Sequence, residues 1–399
     1  MNATKNYRTR TEFRPLNNPT IPGVTIIATD IGYSGVKTFC ESGVFCIPYY
    51  AKDLGVNPEL MNGPLDADEI FYRDAETKHI WRVGKTAQAL VSQSDTNDYD
   101  GELVSRFRYH TDMYKISLET AIGLALIHNG YREPKDLTDT LQIQTGLPPA
   151  YIKEDTEMIK EAFVGKHKFS LKVAETSHYV QFEFELTSGS VGVMSQPRGT
   201  LMSLMIDDAG NPDKLAKIFA DDGAILDIGY GTLDFFEITK KSITNKESFI
   251  KYSMVSVLRR TSEKIMEKFG VSLRSSAMQN ALETGTVKVC KRFRDRPPVI
   301  KKEDFSDLLL ESSREICKDA MKKVTNSFDF SKYKYVVLTG GTAAAWEPFI
   351  REYFSEMEEL ILLRGDENTD IGMMYSNVRG YYFQQYMAQQ KKRTARGVQ

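Results

Sequence analysis

Two stretches far apart in the chain, "IIATDIGYSGVKTF" and "ILDIGYGTLDFF", carry nearly the same eight-letter core, DIGYSGVK at Asp30–Lys37 and DIGYGTLD at Asp227–Asp234. Each core follows an apolar, β-branched run that reads as a buried strand. Gly32, Gly35, Gly229 and Gly231 lack a Cβ, so the turns can adopt conformations closed to other residues. Their N–H groups can then converge on an anion as a nest. Ser34 and Thr232 add hydroxyl donors, and Lys37 adds a charge that could reach a β- or γ-phosphate. Asp30 and Asp227 end their strands and offer hard oxygens suited to a hydrated Mg²⁺. One such turn grips one side of a polyphosphate; two on facing domains clamp it from both sides. Taken singly, each turn is as readily a hairpin tip. As a widely separated pair they imply duplication of a whole domain, not a short solenoid repeat.

The composition leaves room for this. The chain has 399 residues, of which 41% are apolar and 27% charged, enough for two or three domains with a large core. A net charge of −2 gives no bulk drive toward DNA or an anionic membrane. No apolar run approaches the length of a membrane span. The polar start, "MNATKNYRTRTEFRPLNNPT", lacks the apolar core of a secretion signal and reads as a solvated leader over residues 1–23. Cys40, Cys46, Cys290 and Cys317 form no C-x-x-C pair, which suits a reducing cytosol better than a metal site.

Elsewhere strands alternate with helices, which favours an α/β architecture. "VTIIATDIG" is the first strand, and "DMYKISLETAIGLALIHNG" is a helix stopped at Gly130. "YVQFEFELTSGSVGVM" alternates as two strands, and "PRGTLMSLMIDD" reads as a short helix. "KESFIKYSMVSVLRRTSEKIMEKFG" and "EDFSDLLLESSREICKDAMKKVTNSF" read as long amphipathic helices. "KYVVLTGGTAAAWEPFIREYF" is again strand, glycine turn and helix, with Gly340, Gly341 and Thr342 placed for close approach to a base or ribose. No G-x-x-x-x-G-K-[ST] phosphate loop occurs, and no G-x-G-x-x-G follows a strand.

In this order, phosphate turn, connecting strand, phosphate turn, adenosine turn and final helix, the chain resembles the actin-like ATPases. "DIGYSGVK" and "LDIGYGTLD" look like their phosphate motifs, and "VVLTGGTAAAW" looks like their adenosine motif. "VGVMSQPRGTLMSL" and "YSNVRGYYFQQY" are similar to the two connecting segments, and "LQIQTGLPPAYI" to a segment of the ParM-type plasmid-segregation actins. The resemblance implies an α/β, two-domain actin-like fold with duplicated mixed-sheet cores of the RNase H type around a nucleotide cleft. Domain I would span 24–190, with a small subdomain near 43–95 and the C-terminal helix 368–388. Domain II would span 191–367, with a small subdomain near 243–330, and 389–399 would be a basic tail.

The resemblance also implies a function. It points to a cytoplasmic, filament-forming ATPase, or GTPase, that uses Mg²⁺ and segregates plasmid DNA through dynamic polymerisation. Its partners would be copies of itself and a DNA-binding adaptor, with no direct grip on DNA or membrane. The alternative is a small-molecule kinase of the same superfamily. By the resemblance, Asp30 and Asp227 hold the metal through waters. Tyr33, Asp234 and the turn residues named above line the nucleotide, and Gln196 orients the attacking water. ParM-type proteins often carry Glu at that position, where actins carry Gln. Gln144 is a rival to Gln196, more in keeping with a strand residue beside the site. In the adenosine turn Ala343, Ala344 and Ala345 follow Thr342 where relatives often have a third glycine, which leaves ATP versus GTP open. The basic stretch at 288–302 reads as a solvated loop, or more sharply as a subunit or adaptor contact. Met373, Met374, Tyr381, Tyr382 and Phe383 fall at helical spacing and read as core.

Overall fold

A computed structural model describes the chain except for residues 1–2, 61–62, 91–105, 135–136, 138, 150, 241, 292–293, 296 and 396–399. In the first half, β1 (Glu12–Pro15), β2 (Thr25–Ile31), β3 (Gly35–Cys40) and β4 (Gly43–Pro48) begin one sheet. The chain then builds a second sheet with β5 (Ala51–Asp53), β6 (Ile70–Asp74) and β7 (Ile80–Val83), and returns to the first with β8 (Leu141–Leu147). β9 (Gly165–Val173) and β10 (Val180–Leu186) complete the second sheet, and β11 (Val191–Ser195) completes the first. The strand orders are β1-β4-β3-β2-β8-β11 and β10-β9-β6-β7-β5.

In the second half come β12 (Gly223–Ile228), β13 (Leu233–Thr239), β14 (Ser242–Phe249), the hairpin of β15 (Thr286–Lys291) and β16 (Val299–Asp304), and then β17 (Tyr335–Thr339) and β18 (Ile361–Arg364). The main sheet runs β14-β13-β12-β17-β18 and repeats the first half's β4-β3-β2-β8-β11. β2 and β12 each pair antiparallel with the next strand and parallel with a later one, which pairs parallel with the last strand of its half. The registers repeat too: Asp30 lies opposite Lys37, and Asp227 opposite Asp234. β12 is buried throughout and β2 nearly so, which explains why both read as continuous apolar runs and not as alternating patterns.

Two helices tie the halves together. The Gln196–Met205 helix leaves β11 of the first half's main sheet and buries Leu204 beside Ile225, Phe236 and Tyr335 of the second half's main sheet. The Ser376–Ala395 helix follows β18 of the second half's main sheet and packs Tyr382 and Phe383 on Phe39 of the first half's. Where they cross, Gly199 and Gly380 bring the backbones together, and a Cβ on Gly380 would land on the Gly199 carbonyl.

Several sequence expectations are corrected here. The N-terminal stretch is not a solvated leader: Ala3–Tyr7 forms a 3₁₀ turn with Tyr7 buried, and Glu12–Pro15 pairs with β4. Its few apolar groups are too sparse to show periodicity, so the packing was invisible in the sequence. β11 pairs with β8, so the first half runs through Ser195 and does not stop at residue 190. The small sheet of that half also recruits β9 and β10 and excludes β4, because the alternating strand at 165–173 pairs with β6. "KESF" forms the end of β14, and the helix begins only at Met254. The basic stretch forms much of the β15–β16 hairpin, although residues 292–293 and 296 lie outside the described residues. The final helix continues through Ala395 into the expected tail; residues 396–399 lie outside the described part. Met373, Tyr381, Tyr382 and Phe383 are buried, whereas Met374 is half-buried and faces the cleft. No described helix is long and apolar enough to cross a membrane.

Candidate functional site

Between the halves lies a cavity of about 450 Å³. The two β-turns form facing walls. In the first, the Gly32 N–H donates to the Gly35 carbonyl at 3.0 Å, and in the second the Gly229 N–H donates to the Thr232 carbonyl at 2.9 Å. The turns touch across the gap, for a Cβ on Gly231 would stand 2.6 Å from the Tyr33 ring. Gly340 and Gly341 close the third side, where Thr342 Oγ1 donates to the Gly229 carbonyl at 2.7 Å. Gly340 has φ of 96°, and a Cβ there would meet Asp227 Oδ1 at 2.8 Å, so only glycine serves at this position. The structure thus gathers Asp30, Gly32, Tyr33, Ser34, Gly35, Lys37, Gln196, Asp227, Gly229, Gly231, Thr232, Asp234, Gly340, Gly341 and Thr342 around one cavity.

The duplication extends to the polar network. Gln196 opens one crossing helix and donates Nε2–H to Asp30 Oδ1 at 3.4 Å. Asn377, in the first turn of the other, donates Nδ2–H to Asp227 Oδ2 at 2.9 Å and accepts from Thr200 at 2.7 Å. Each aspartate therefore receives an amide from the helix that follows its own half's last strand. Sequence reasoning missed Asn377; the repeat carried the signal, since Asn377 stands where Gln196 stands in the first half. Gln144 turns away: it is buried in β8, donates to the Thr145 carbonyl and packs on Gly192.

At the register position that holds Lys37 in the first half, the second holds Asp234, and the charges differ accordingly. Burial works against the Lys37 ammonium, but Asp30, whose Oδ2 lies 3.2 Å away, outweighs it and leaves the lysine more basic than usual. Burial, joined by the Asp234 and Asp30 carboxylates and opposed by the Asn377 hydrogen bond, pushes Asp227 up to about 7. Asp234 is also raised by burial, although hydroxyls of Ser248 and Thr232 donate to it. Arg108 is a buried cation beside Tyr33, with its Nη2–H donated to the Ile31 carbonyl at 2.6 Å. It belongs to no recognisable motif, so nothing in the sequence marked it. Among the described residues no cluster of three His, Cys, Asp or Glu side chains can hold a metal by itself. The crowded Asp30 and Asp227 carboxylates fit a cation that takes its remaining ligands from a phosphate and water.

Residues 28–199 match the family described as the actin-like proteins' N-terminal domain. No curated protein matches the sequence. Among solved structures the chain is similar to the apo pSK41 ParM protein, with 17% identity, a TM-score of 0.60, and coverage of 92% of this chain and 99% of that one. The actin-like protein Alp7A is similar at 15% identity, a TM-score of 0.67, and 93% and 98% coverage. A Bacillus thuringiensis ParM solved with AMPPNP is similar at 14% identity, a TM-score of 0.57, and 92% and 99% coverage. The chain has an actin-like fold, and residues 28–199 are the stretch that matches the family model.

Proposed function

We propose that the protein binds a Mg-nucleoside triphosphate in the cleft, hydrolyses it, and couples that cycle to growth and decay of a filament of its own subunits. The observation that carries this reading is the pair of aspartate–glycine turns, equivalent by register and facing each other across one cavity. The turn N–H groups, with Lys37, Ser34 and Thr232, bind the phosphates. Asp30 and Asp227 hold the cation, which when bound neutralises phosphate oxygens and the charge that develops on them. Gln196, anchored on Asp30, orients the water that attacks the terminal phosphate. The ParM likeness supports a role in plasmid segregation, with DNA reached through an adaptor because the chain carries a net charge of −2.

Filament growth follows from the nucleotide bridging both halves. A bound triphosphate favours one angle between them, and a head-to-tail interface that reads this angle propagates without closing. Gln196→Ala is expected to retain nucleotide affinity, because the glycine turns remain, but to release phosphate roughly a hundredfold more slowly. Polymer should persist correspondingly longer in light scattering. Unchanged phosphate release would remove Gln196 from catalysis.

A further inference from the structure

Among the described residues, 3–15 have no counterpart in the second half, and they lie outside the matched stretch at 28–199. They cross the cleft. On the second half, Tyr7 is buried against the core that holds Phe305 and Trp346, with its hydroxyl bonded to Ser313. Thr4 Oγ1 donates to the Leu282 carbonyl at 2.6 Å, the Thr9 N–H donates to Gln279 Oε1 at 3.2 Å, and Lys5 and Arg8 both pair with Glu283. On the first half, Glu12–Pro15 is paired with β4, and Glu12 accepts from the Tyr375 hydroxyl at 2.9 Å. Thr9 also meets the first phosphate turn, since a Cβ on Gly35 would lie 2.8 Å from its methyl group. Residues 6–10 form part of the cavity wall.

The segment between the anchors, Arg10 and Thr11, is too short to absorb movement. Extended chain spans at most about 3.5 Å per residue, so an opening larger than several ångströms must pull one anchor free. We infer that residues 3–15 are a strap that holds the two halves at one angle and must release the second half before the cleft opens to exchange ligand. Release on that side follows from the anchors. The first-half end is a hydrogen-bonded strand, while the second-half end is one buried ring, a few hydrogen bonds and a partly exposed ion-pair cluster. Part of the test, the ligand-exchange arm, rests on the nucleotide reading proposed above.

Two variants weaken the second-half anchor in the full chain. Glu283→Gln removes the partner of Lys5 and Arg8 at a half-exposed position, where misfolding is not expected. Tyr7→Ala removes the buried ring, and Tyr7→Phe, which keeps it, serves as the conservative control. Spin labels on exposed Cys290 and on an exposed Ser188→Cys report the distance between halves, since the other three cysteines are buried. In ligand-free protein the wild type and Tyr7→Phe should give one narrow distance, and Glu283→Gln and Tyr7→Ala a longer, broader distribution. In stopped flow, a fluorescent ATP analogue should leave these two variants at least tenfold faster. Unchanged distances in both variants overturn the strap, as does an unchanged release rate where the analogue binds. If wild type binds no analogue but the distances widen, the nucleotide reading fails and the strap stands.

Discussion

Asp227→Asn is expected to abolish Mg-dependent nucleotide turnover while making the ligand-free protein more stable than wild type at pH 8. The two effects share a cause. Asp227 is buried among Asp234 and Asp30, and its carboxyl titrates near 7 in the folded protein, against an ordinary value of 3.8. A group whose pKa is raised on folding binds its proton more tightly in the native state. Its contribution is complete below about pH 4 and is lost as pH rises through about 7. Wild-type stability should therefore fall across that interval by up to a few kcal/mol. Asparagine imitates the neutral acid and still accepts from Asn377, so its stability should lack this slope. It cannot supply the anionic oxygen the cation needs, so turnover should vanish. Thermal unfolding from pH 5 to 8 together with phosphate release measures both. Normal turnover in the variant would remove Asp227 from the cation site, and a stability profile parallel to wild type would show that Asp227 is ionised throughout.

Gly380→Val should be the most damaging substitution outside the cleft. The crossing helices touch backbone to backbone, and the new side chain would fall on Gly199. Neither helix can retreat cheaply, because Leu204 is locked into one sheet and Tyr382 and Phe383 into the other. Overpacking of a rigid contact costs about 1–3 kcal/mol, and this site lies at the upper end. The same helices carry Gln196 and Asn377 in their first turns, so their separation would pull both amides from the aspartates. The expected result is a lowered urea midpoint with loss of nucleotide binding, and a milder shift in the same direction for Gly380→Ala. A wild-type midpoint for Gly380→Val would mean that the helices do not meet this closely.

Much of this architecture was legible because duplication leaves a literal trace. The DIGY core marked β2 and β12, their turns and both aspartates, and the third glycine turn followed from the same strand–glycine–helix pattern. What escaped has physical reasons. Asn377 looks like any polar residue at a helix start until the second connecting segment is set against the first, where it stands in the place of Gln196. Arg108 gains its position from tertiary packing alone, beneath a tyrosine ring. The N-terminal strap is polar because its environment is a cleft edge, where one buried Tyr7 and a set of hydrogen bonds suffice in place of an apolar stripe. β9 and β10 alternate clearly, but nothing in a strand's own pattern names its partner, so β9's place beside β6, with β10 outside it, was not readable.

The central claim is that occupancy of one cleft between duplicated halves governs self-assembly. Sedimentation at tens of micromolar protein tests it directly, with Mg-ATP, Mg-GTP, a poorly hydrolysed analogue of each, and no nucleotide. The account predicts pelleted polymer with at least one triphosphate, loss of the pellet as phosphate appears, a lasting pellet with the matching analogue, and none without nucleotide. A protein that stays monomeric under every one of these conditions would contradict it.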